Sequence, residues 1–381
     1  MNKKTISKII HNSKKNAALI CLILFLTGFS YYAITIFQTR STESGTAQSF
    51  NGLKNIGEGW WETRRLIYHG IPARVVFLPP PAAGNHPDAV DEAVWLEFER
   101  IGQIFNPFNP DSEVSRINLQ PQPDFISVSD DMMSVIQISK QLWVDTNRQF
   151  DPTMWQIKQL WQKAEKNQQI PVKKDIAKAL QWTGFDKVRI DKKSQNFLQF
   201  VNHPVKFDFG GIVKGHAVDQ VRQILLNSGV TAGLVQLGGE ISTFGKNNEK
   251  PWHIGVQHPK QMDRIWGIIS AYVDIRVSTS GNYRQPIIIN GQSFYHIFSP
   301  KTGKPVSEKV LGVTTVCFDK KNSNARIDGI ATAITVMGAE KGLFLAEKLK
   351  IEAMILYKKN DGTIGELMTP GLSNYYTPAA K

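Results

Sequence analysis

The spacing of apolar and polar positions changes along this chain and divides it into three kinds of region. An uncharged apolar run covers residues 16–37 and is long enough to cross a bilayer as a helix. Residues 41–59 are mostly small and polar, which is typical of a flexible linker. From residue 60 onwards, extended patterns and apolar residues three and four apart follow one another, which predicts a folded body.

The body has two parts with different predicted elements. An extended segment at 60–78 comes first, and helices follow at 89–105, at 132–146, after Pro152 and at 173–181. Beyond residue 185, two helices are expected at 212–228 and 324–349, the second with a break near Gly338. Short strands are expected at 186–191, 197–201, 232–237, 252–257, 265–275, 310–318 and 351–357. Their hairpin-like spacing predicts an α+β fold in which helices pack on mixed or antiparallel sheets.

Charge at the N-terminus gives the apolar run an orientation. The chain of 381 residues has a formal net charge of +12, and lysines before residue 16 contribute to it. Basic residues beside a membrane helix favour the cytoplasmic side. We therefore expect a cytoplasmic basic tail at 1–15, a signal anchor in the cytoplasmic membrane at 16–37, a tether at 38–59 and a periplasmic or outer domain at 60–381. A cleaved signal peptide is the alternative, although no small-residue cleavage pattern directly follows the run.

Composition excludes two further interpretations of the body. After the apolar run, Cys317 is the remaining cysteine, so an internal disulfide cannot form. Lysine and arginine form no stripe interleaved with aromatic residues, so the basic charge does not indicate nucleic-acid binding.

Paired glycines precede the helix predicted at 212–228. Gly210 and Gly211 lack a Cβ, so their backbone can approach a ligand closely. The amide groups of the first helical turn and the side chain of Lys214 then suit an anion such as phosphate. The same glycines also suit an ordinary tight connection, and this stretch alone leaves both interpretations open.

Two oxygen-bearing side chains share one face of the helix predicted at 324–349. Asp328 and Thr332 are four residues apart, a spacing that suits a hard cation such as Mg²⁺ when phosphate supplies further ligands. Alternatively, Asp328 is a solvated residue and Thr332 a packing residue. The scattered histidines and the lack of paired cysteines give no zinc pattern.

Three further positions carry possible chemistry. His296 stands at a strand end before a turn at 300–303, where it could act as a general base or be an ordinary half-buried histidine. Asp151 stands at a helix start, where capping is the simpler role. Residues 279–285 could line a nucleotide pocket or form a turn.

Eight motifs follow one another between about residues 60 and 370. They are NPDSEVSRIN, QFDPTMWQIKQLW, FDFGGIVKGHAVD, GLVQLGGEI, WHIGV, VSTSGNYR, YHIFSPKTGKPV and IDGIATAITVMGAEKG. Together they resemble the ApbE family of FAD:protein FMN transferases. The resemblance implies transfer of the FMN half of FAD to a threonine or serine hydroxyl of another protein, with Mg²⁺ as cofactor and AMP as leaving product.

The resemblance also implies roles for ten residues. Asp328, Thr332 and the carbonyl of Gly211 would hold Mg²⁺, and His296 would assist deprotonation of the acceptor hydroxyl. The residues expected to contact FAD or line its pocket are Phe108, Phe150, Asp151, Asp208, Lys214 and Phe298.

Four positions depart from the usual family pattern. His69 begins a His-Gly-Ile segment where many relatives have Met-Gly-Thr. Phe108 and His216 replace frequent tyrosines, and Ser299 replaces a frequent aspartate. The departures leave the proposed metal ligands and His296 intact, so we expect an active enzyme.

The resemblance and the expected topology together imply a set of possible acceptor proteins. These are the flavin-bearing subunits of sodium-pumping NADH:quinone reductase or of Rnf complexes, and the membrane regulator of nitrous oxide reduction. Two other functions stay open: an FAD pyrophosphatase that releases free FMN and AMP, and a non-catalytic flavin-binding accessory protein on the membrane.

Overall fold

A computed structural model gives the arrangement of most of the predicted body. It describes residues 52–68, 70–80, 86–119, 125–190, 196–201, 205–261, 263–281, 286–319 and 321–379. The expected basic tail, the anchor, the first part of the tether and His69 lie outside these residues. Within the described ranges, no helix has the length and apolar character required to span a bilayer.

The helices lie close to the predicted segments. They are α1 (Pro87–Phe105), α2 (Glu113–Asn118), α3 (Asp130–Asp145), α4 (Trp155–Asn167), α5 (Lys173–Leu180), α6 (Val213–Asn227), α7 (Asn324–Met337) and α8 (Ala339–Leu349). Gly338 separates α7 from α8 at the predicted break.

The strands are more numerous than predicted. They are β1 (Gly52–Gly57), β2 (Trp60–Ile67), β3 (Ile71–Phe77), β4 (Ile126–Ser127), β5 (Val188–Ile190), β6 (Phe197–Phe200), β7 (Gly233–Leu237), β8 (Glu240–Phe244), β9 (Trp252–Gln257), β10 (Ile265–Ala271), β11 (Arg276–Gly281), β12 (Ile287–Ile289), β13 (Gln292–Phe294), β14 (Val310–Cys317), β15 (Glu352–Lys358), β16 (Ile364–Met368) and β17 (Tyr376–Pro378).

One large sheet organises the body. Its nine strands follow the order β1-β2-β3-β7-β8-β11-β14-β15-β16, and smaller sheets are formed by β17-β10-β9, β4-β6-β5 and β12-β13. Every pairing among the described strands is antiparallel. The predicted α+β class is therefore confirmed, with antiparallel rather than mixed sheets.

The centre of the large sheet is buried on both faces. Neighbouring residues of a strand point to opposite faces, and Val75 packs in one apolar cluster while Val76 packs in another. Helices α1, α6 and α7 contribute to the first cluster, and β9 and β10 contribute to the second. Burial on both faces explains why the centre lacks an alternating apolar pattern.

A third apolar cluster joins α4 and α5 to the β12-β13 hairpin. Its buried members include Ile157, Trp161, Ile289 and Phe298. Trp161 Nε1 donates a hydrogen bond of 2.9 Å to the carbonyl of Gly303, which fixes the turn after Phe298 to α4. This cluster therefore holds the loop that carries His296.

Several predicted boundaries were wrong. The strand predicted at 265–275 ends at Ala271, and the exposed Tyr272 begins a bend. Helix α2 forms between the helices predicted at 89–105 and 132–146, where no helix was expected, and Ser112 Oγ accepts a hydrogen bond from the amide of Ser115 at its start. Strand β1 lies in the predicted tether and pairs with β2, so the sheet begins earlier than expected.

Candidate active site

The ten predicted site residues line a single cavity of about 380 Å³. They come from the segments around α1, α4, β6 and α6, from the loop after β13, and from α7. The set is Phe108, Phe150, Asp151, Asp208, Gly211, Lys214, His296, Phe298, Asp328 and Thr332. The residues that the resemblance implies therefore meet in one place, although Phe108 and Thr332 are more than two hundred positions apart in the chain.

The glycine pair forms a wall of the cavity just before α6. Asp208 Oδ1 accepts a hydrogen bond of 3.1 Å from the amide of Gly210. A Cβ added at Gly211 would lie 2.9 Å from Thr332 Oγ1, so a side chain there would collide with α7. Thr332 Oγ1 lies 3.5 Å from the carbonyl oxygen of Gly211. Glycine is therefore required here for a close approach that brings two oxygen atoms together.

Asp328 lies one helical turn before Thr332 and is buried. Its Oδ2 accepts a hydrogen bond of 3.1 Å from the amide of Gly215, at the start of α6. At this contact α6 and α7 pack very closely. A Cβ at Gly215 would lie 2.4 Å from the carbonyl oxygen of Asn324, so the position requires glycine. The crossing of two helices thus positions the carboxylate.

Lys214 and Glu240 form a buried ion pair beside Asp328. Lys214 Nζ contacts Glu240 Oε1 and lies 3.4 Å from Asp328 Oδ2. Ser278 Oγ donates a hydrogen bond of 3.1 Å to the other oxygen of Glu240. Burial and the Asp328 carboxylate raise the pKa of Glu240 to about 7, against the opposite effect of Lys214. Burial alone would lower the pKa of Lys214, but the two carboxylates raise it overall.

The site contains an excess of negative charge when its groups are ionised. Lys214 contributes one positive charge, whereas Glu240 and Asp328 contribute two negative charges. Among the described residues, no cluster of three His, Cys, Asp or Glu side chains could hold a metal. The carboxylate of Asp328, the hydroxyl of Thr332 and the carbonyl of Gly211 instead form a small all-oxygen set. Such a set fits Mg²⁺, which keeps water or phosphate oxygens as its other ligands.

Phe150 and Asp151 line the cavity just before α4. Phe150 is buried, and Asp151 Oδ1 accepts hydrogen bonds from the amide of Thr153 at 2.8 Å and from its hydroxyl at 2.6 Å. Trp143 Nε1 donates to Asp151 Oδ2 at 3.1 Å. Burial raises the pKa of Asp151, although these hydrogen bonds oppose the rise. Asp151 thus stabilises the turn into α4 and lines the cavity as well.

Lys158 lines the cavity in addition to the predicted residues, and Trp155 packs beside it. Lys158 Nζ lies 2.9 Å from Asp208 Oδ2. It also lies 5.7 Å from the ring centroid of Phe108 and 5.6 Å from that of Trp155, within the range of a cation–π contact. Phe108 is 55% exposed and meets Trp155 edge to face. A planar ligand could therefore stack on Phe108 without displacing a core residue.

His296 follows β13, and Phe298 anchors the same loop. Phe298 is buried and packs on Trp161 with a centroid distance of 6.1 Å. The predicted turn at 300–303 is present, and Gly303 supplies the positive φ of +62° that it requires. Phe294, which precedes His296, also contacts Trp161, at a centroid distance of 5.4 Å. The loop is thus anchored on both sides of His296, which is half-buried at the cavity wall.

Two of the departures from the family pattern lie away from the cavity wall. His216 is buried, and its Nε2 lies 2.8 Å from Asp131 Oδ1, where it links α6 to α3. Ser299 donates its amide hydrogen to the carbonyl of Lys304 at 2.9 Å, within the turn after His296. Neither residue lines the cavity, whereas Phe108 does.

The fold and the cavity define a class of protein. An antiparallel α+β body holds a partly aromatic cavity with lysines, buried carboxylates and a backbone wall of glycines, which suits a ligand with both planar and anionic parts. The chain belongs to the ApbE family, whose model matches residues 69–355.

Relatives of known name agree with this membership. The chain is 29% identical to the FAD:protein FMN transferase of Haemophilus influenzae over 77% of its own length and 86% of that protein. It is 31% identical to the enzyme of the same name from Chlamydia muridarum, over 78% and 92% respectively. Among solved structures, the ApbE protein of Thermotoga maritima is similar with a TM-score of 0.72 and 27% identity, over 83% of this chain and 99% of that one.

Proposed function

We propose that this protein is an FAD:protein FMN transferase that flavinylates a threonine or serine of another protein, with Mg²⁺ as cofactor and AMP as leaving product. The relatives that carry this name support the reaction. The observation that carries the proposal is the 3.5 Å distance between Thr332 Oγ1 and the Gly211 carbonyl oxygen, one helical turn after Asp328, in a cavity that His296 also lines.

Different residues of the cavity would have different roles in such a transfer. Asp328, Thr332 and the Gly211 carbonyl would hold Mg²⁺, which supplies charge neutralisation at the diphosphate. His296 would accept the proton of the acceptor hydroxyl. The hydroxyl oxygen then forms a bond to the FMN phosphorus, the bond from this phosphorus to the bridging oxygen breaks, and AMP leaves. Phe108 and Phe150 would hold planar parts of FAD.

An FAD pyrophosphatase would use the same residues with water as the acceptor. To separate the two activities, the full chain in detergent is incubated with FAD, Mg²⁺ and a candidate acceptor domain. We expect covalent flavin fluorescence on the acceptor and a mass increase of one FMN moiety, which is lost with Asp328→Ala. Free FMN without labelled acceptor would contradict the transferase function, and wild-type activity in Asp328→Ala would contradict the metal site.

The proposal also includes a location for the protein and a class of acceptor. The apolar run at 16–37 and the lysines before it support a single-pass anchor with the body on the periplasmic or outer side. The acceptor would then be a subunit of a membrane electron-transfer complex, or a regulator of nitrous oxide reduction, exposed on the same side. Mass spectrometry of membrane proteins from cells with and without the gene should reveal an FMN addition on such a protein. Retention of residues 16–37 in the mature chain would distinguish an anchor from a cleaved signal peptide.

A further inference from the structure

Among the described residues, two side chains of lysine or arginine line the cavity, those of Lys158 and Lys214. Lys214 contacts Glu240 and Asp328, so two carboxylates already balance its charge. Lys158 pairs with the single carboxylate of Asp208 and keeps 24% of its side chain exposed. An ammonium group has three N–H donors, and Asp208 accepts one of them. Lys158 can therefore take an additional anionic partner.

Lys158 and the oxygen set lie at opposite ends of the glycine pair. A Cβ built on Gly210 would lie 3.9 Å from Lys158 Nζ, whereas one built on Gly211 would lie 2.9 Å from Thr332 Oγ1. The glycine backbone thus has the Asp208–Lys158 ion pair beside its first residue, with the carboxylate nearer than the ammonium group, and the candidate metal ligands beside its second. An anion with two adjoining charged groups, bound along this wall, could place one group near Lys158 and the other near the candidate metal ligands.

The surroundings of Lys158 hold its ammonium group in place. Asp208 Oδ2 lies 2.9 Å from Nζ, and the ring centroids of Phe108 and Trp155 lie 5.7 and 5.6 Å from it. Asp208 itself is fixed by the amide of Gly210. A cation that is already positioned loses little conformational freedom when it binds a ligand, which favours its use in recognition.

We propose that Lys158 is a positioning residue that binds the diphosphate of FAD, at the end of the glycine wall opposite to Asp328 and Thr332. This inference rests on the proposed function, because FAD is the ligand that supplies a diphosphate beside a planar ring. Lys158 then holds the diphosphate across the glycine pair, while Phe108 offers a stacking surface nearby.

The test compares two ligands that share the flavin ring, of which FAD carries the diphosphate with its adenosine and riboflavin carries neither. The affinity of the full chain in detergent is measured for FAD and for riboflavin, which has the flavin ring but no phosphate, without acceptor protein. Lys158→Met removes the charge and keeps much of the length, Lys158→Arg keeps the charge, and Lys163→Met on the same helix is the matched control because Lys163 is exposed and does not line the cavity.

We expect Lys158→Met to weaken FAD binding by about tenfold or more, since a hydrogen bond to a charged group is lost. Riboflavin affinity should not change, Lys158→Arg should restore most of the FAD affinity, and Lys163→Met should behave as wild type. Equal losses for FAD and riboflavin would overturn the inference, because Lys158 would then support the ring site or its shape. Unchanged FAD affinity in Lys158→Met would also overturn it. Failure of the wild-type chain to bind FAD would instead refute the proposed function on which the inference rests.

Discussion

At the scale of single residues, His296 has the most direct proposed chemical role. We predict that His296→Ala lowers the rate of flavin transfer by about 100-fold or more, the range for loss of a general base. FAD affinity should fall much less, because Phe298 and the turn at 300–303 stay anchored through Trp161. Single-turnover transfer and equilibrium FAD binding measure the two effects separately. An unchanged transfer rate would leave positioning and metal binding to account for catalysis.

We expect Glu240 to make the free energy of unfolding depend on pH. Its carboxyl is buried, and its pKa is raised from 4.5 to about 7. The folded chain therefore binds more protons than the unfolded chain between these values, and the free energy of unfolding falls as pH rises towards 7. Glu240→Gln cannot titrate. We predict that, from pH 5 to pH 8 in metal-free buffer, the variant gains stability relative to wild type by on the order of 3 kcal/mol.

Urea unfolding of both chains at the two pH values measures this difference. Glu249→Gln is the control, because Glu249 is exposed and its partner Lys246 is exposed as well. A Glu240→Gln chain that keeps the same stability difference from wild type at pH 5 and pH 8 would show that Glu240 does not titrate in this range.

At the scale of elements, the crossing of α6 and α7 positions Asp328. Gly215→Ala would place a methyl group 2.4 Å from the carbonyl oxygen of Asn324, which is backbone and cannot rotate away. We predict a loss of about 2 kcal/mol in the free energy of unfolding, typical of overpacking, together with weaker activation by Mg²⁺. Gly312→Ala in β14 is the control, since no atom lies within 4 Å of its added Cβ. Equal stability of the two variants would contradict a tight crossing.

Sequence patterns predicted some of the helices and strands and missed others. Helices α1, α3 and α6 were predicted closely because their apolar residues recur on one face. Strands β8 and β11 were missed, since all of β8 is buried and β11 mixes serine and threonine with glycine. These strands carry Glu240 and Ser278, so their part of the site was missed with them. A charged residue directly after Gly238 and Gly239 in an apolar stretch was the available signal for Glu240.

Contacts that join distant segments could not be derived from local patterns. Lys158 meets Asp208 across fifty positions, and the spacing within α4 does not name that partner. Lys158 does stand four residues after Met154, which places it on the side of α4 that Met154 turns towards the cavity. The ten predicted site residues were identified through ordered family motifs, and the fold then shows that they share one cavity.

At the scale of the whole body, two apolar regions support the walls of the cavity, and different elements form each region. The clusters on the large sheet run through strands β3, β7 and β14, whereas the third cluster joins α4 and α5 to a two-stranded hairpin. A small cluster with few strands around it opens at a lower free energy than the core of a large sheet. The wall that carries His296 and Phe298 should therefore be the part of the site that opens first.

Trp161→Leu tests this difference between regions. The variant loses the hydrogen bond to Gly303 and the ring contacts with Phe294 and Phe298. We predict faster amide hydrogen exchange in residues 155–180 and 287–298, unchanged protection in β7, and weaker FAD binding. Trp252→Leu is the matched control, because Trp252 is buried in the cluster on the sheet and contacts Trp60. It should lower the stability of the sheet without selective opening around α4, whereas faster exchange in β7 of Trp161→Leu would show that the third cluster and the sheet unfold as one unit.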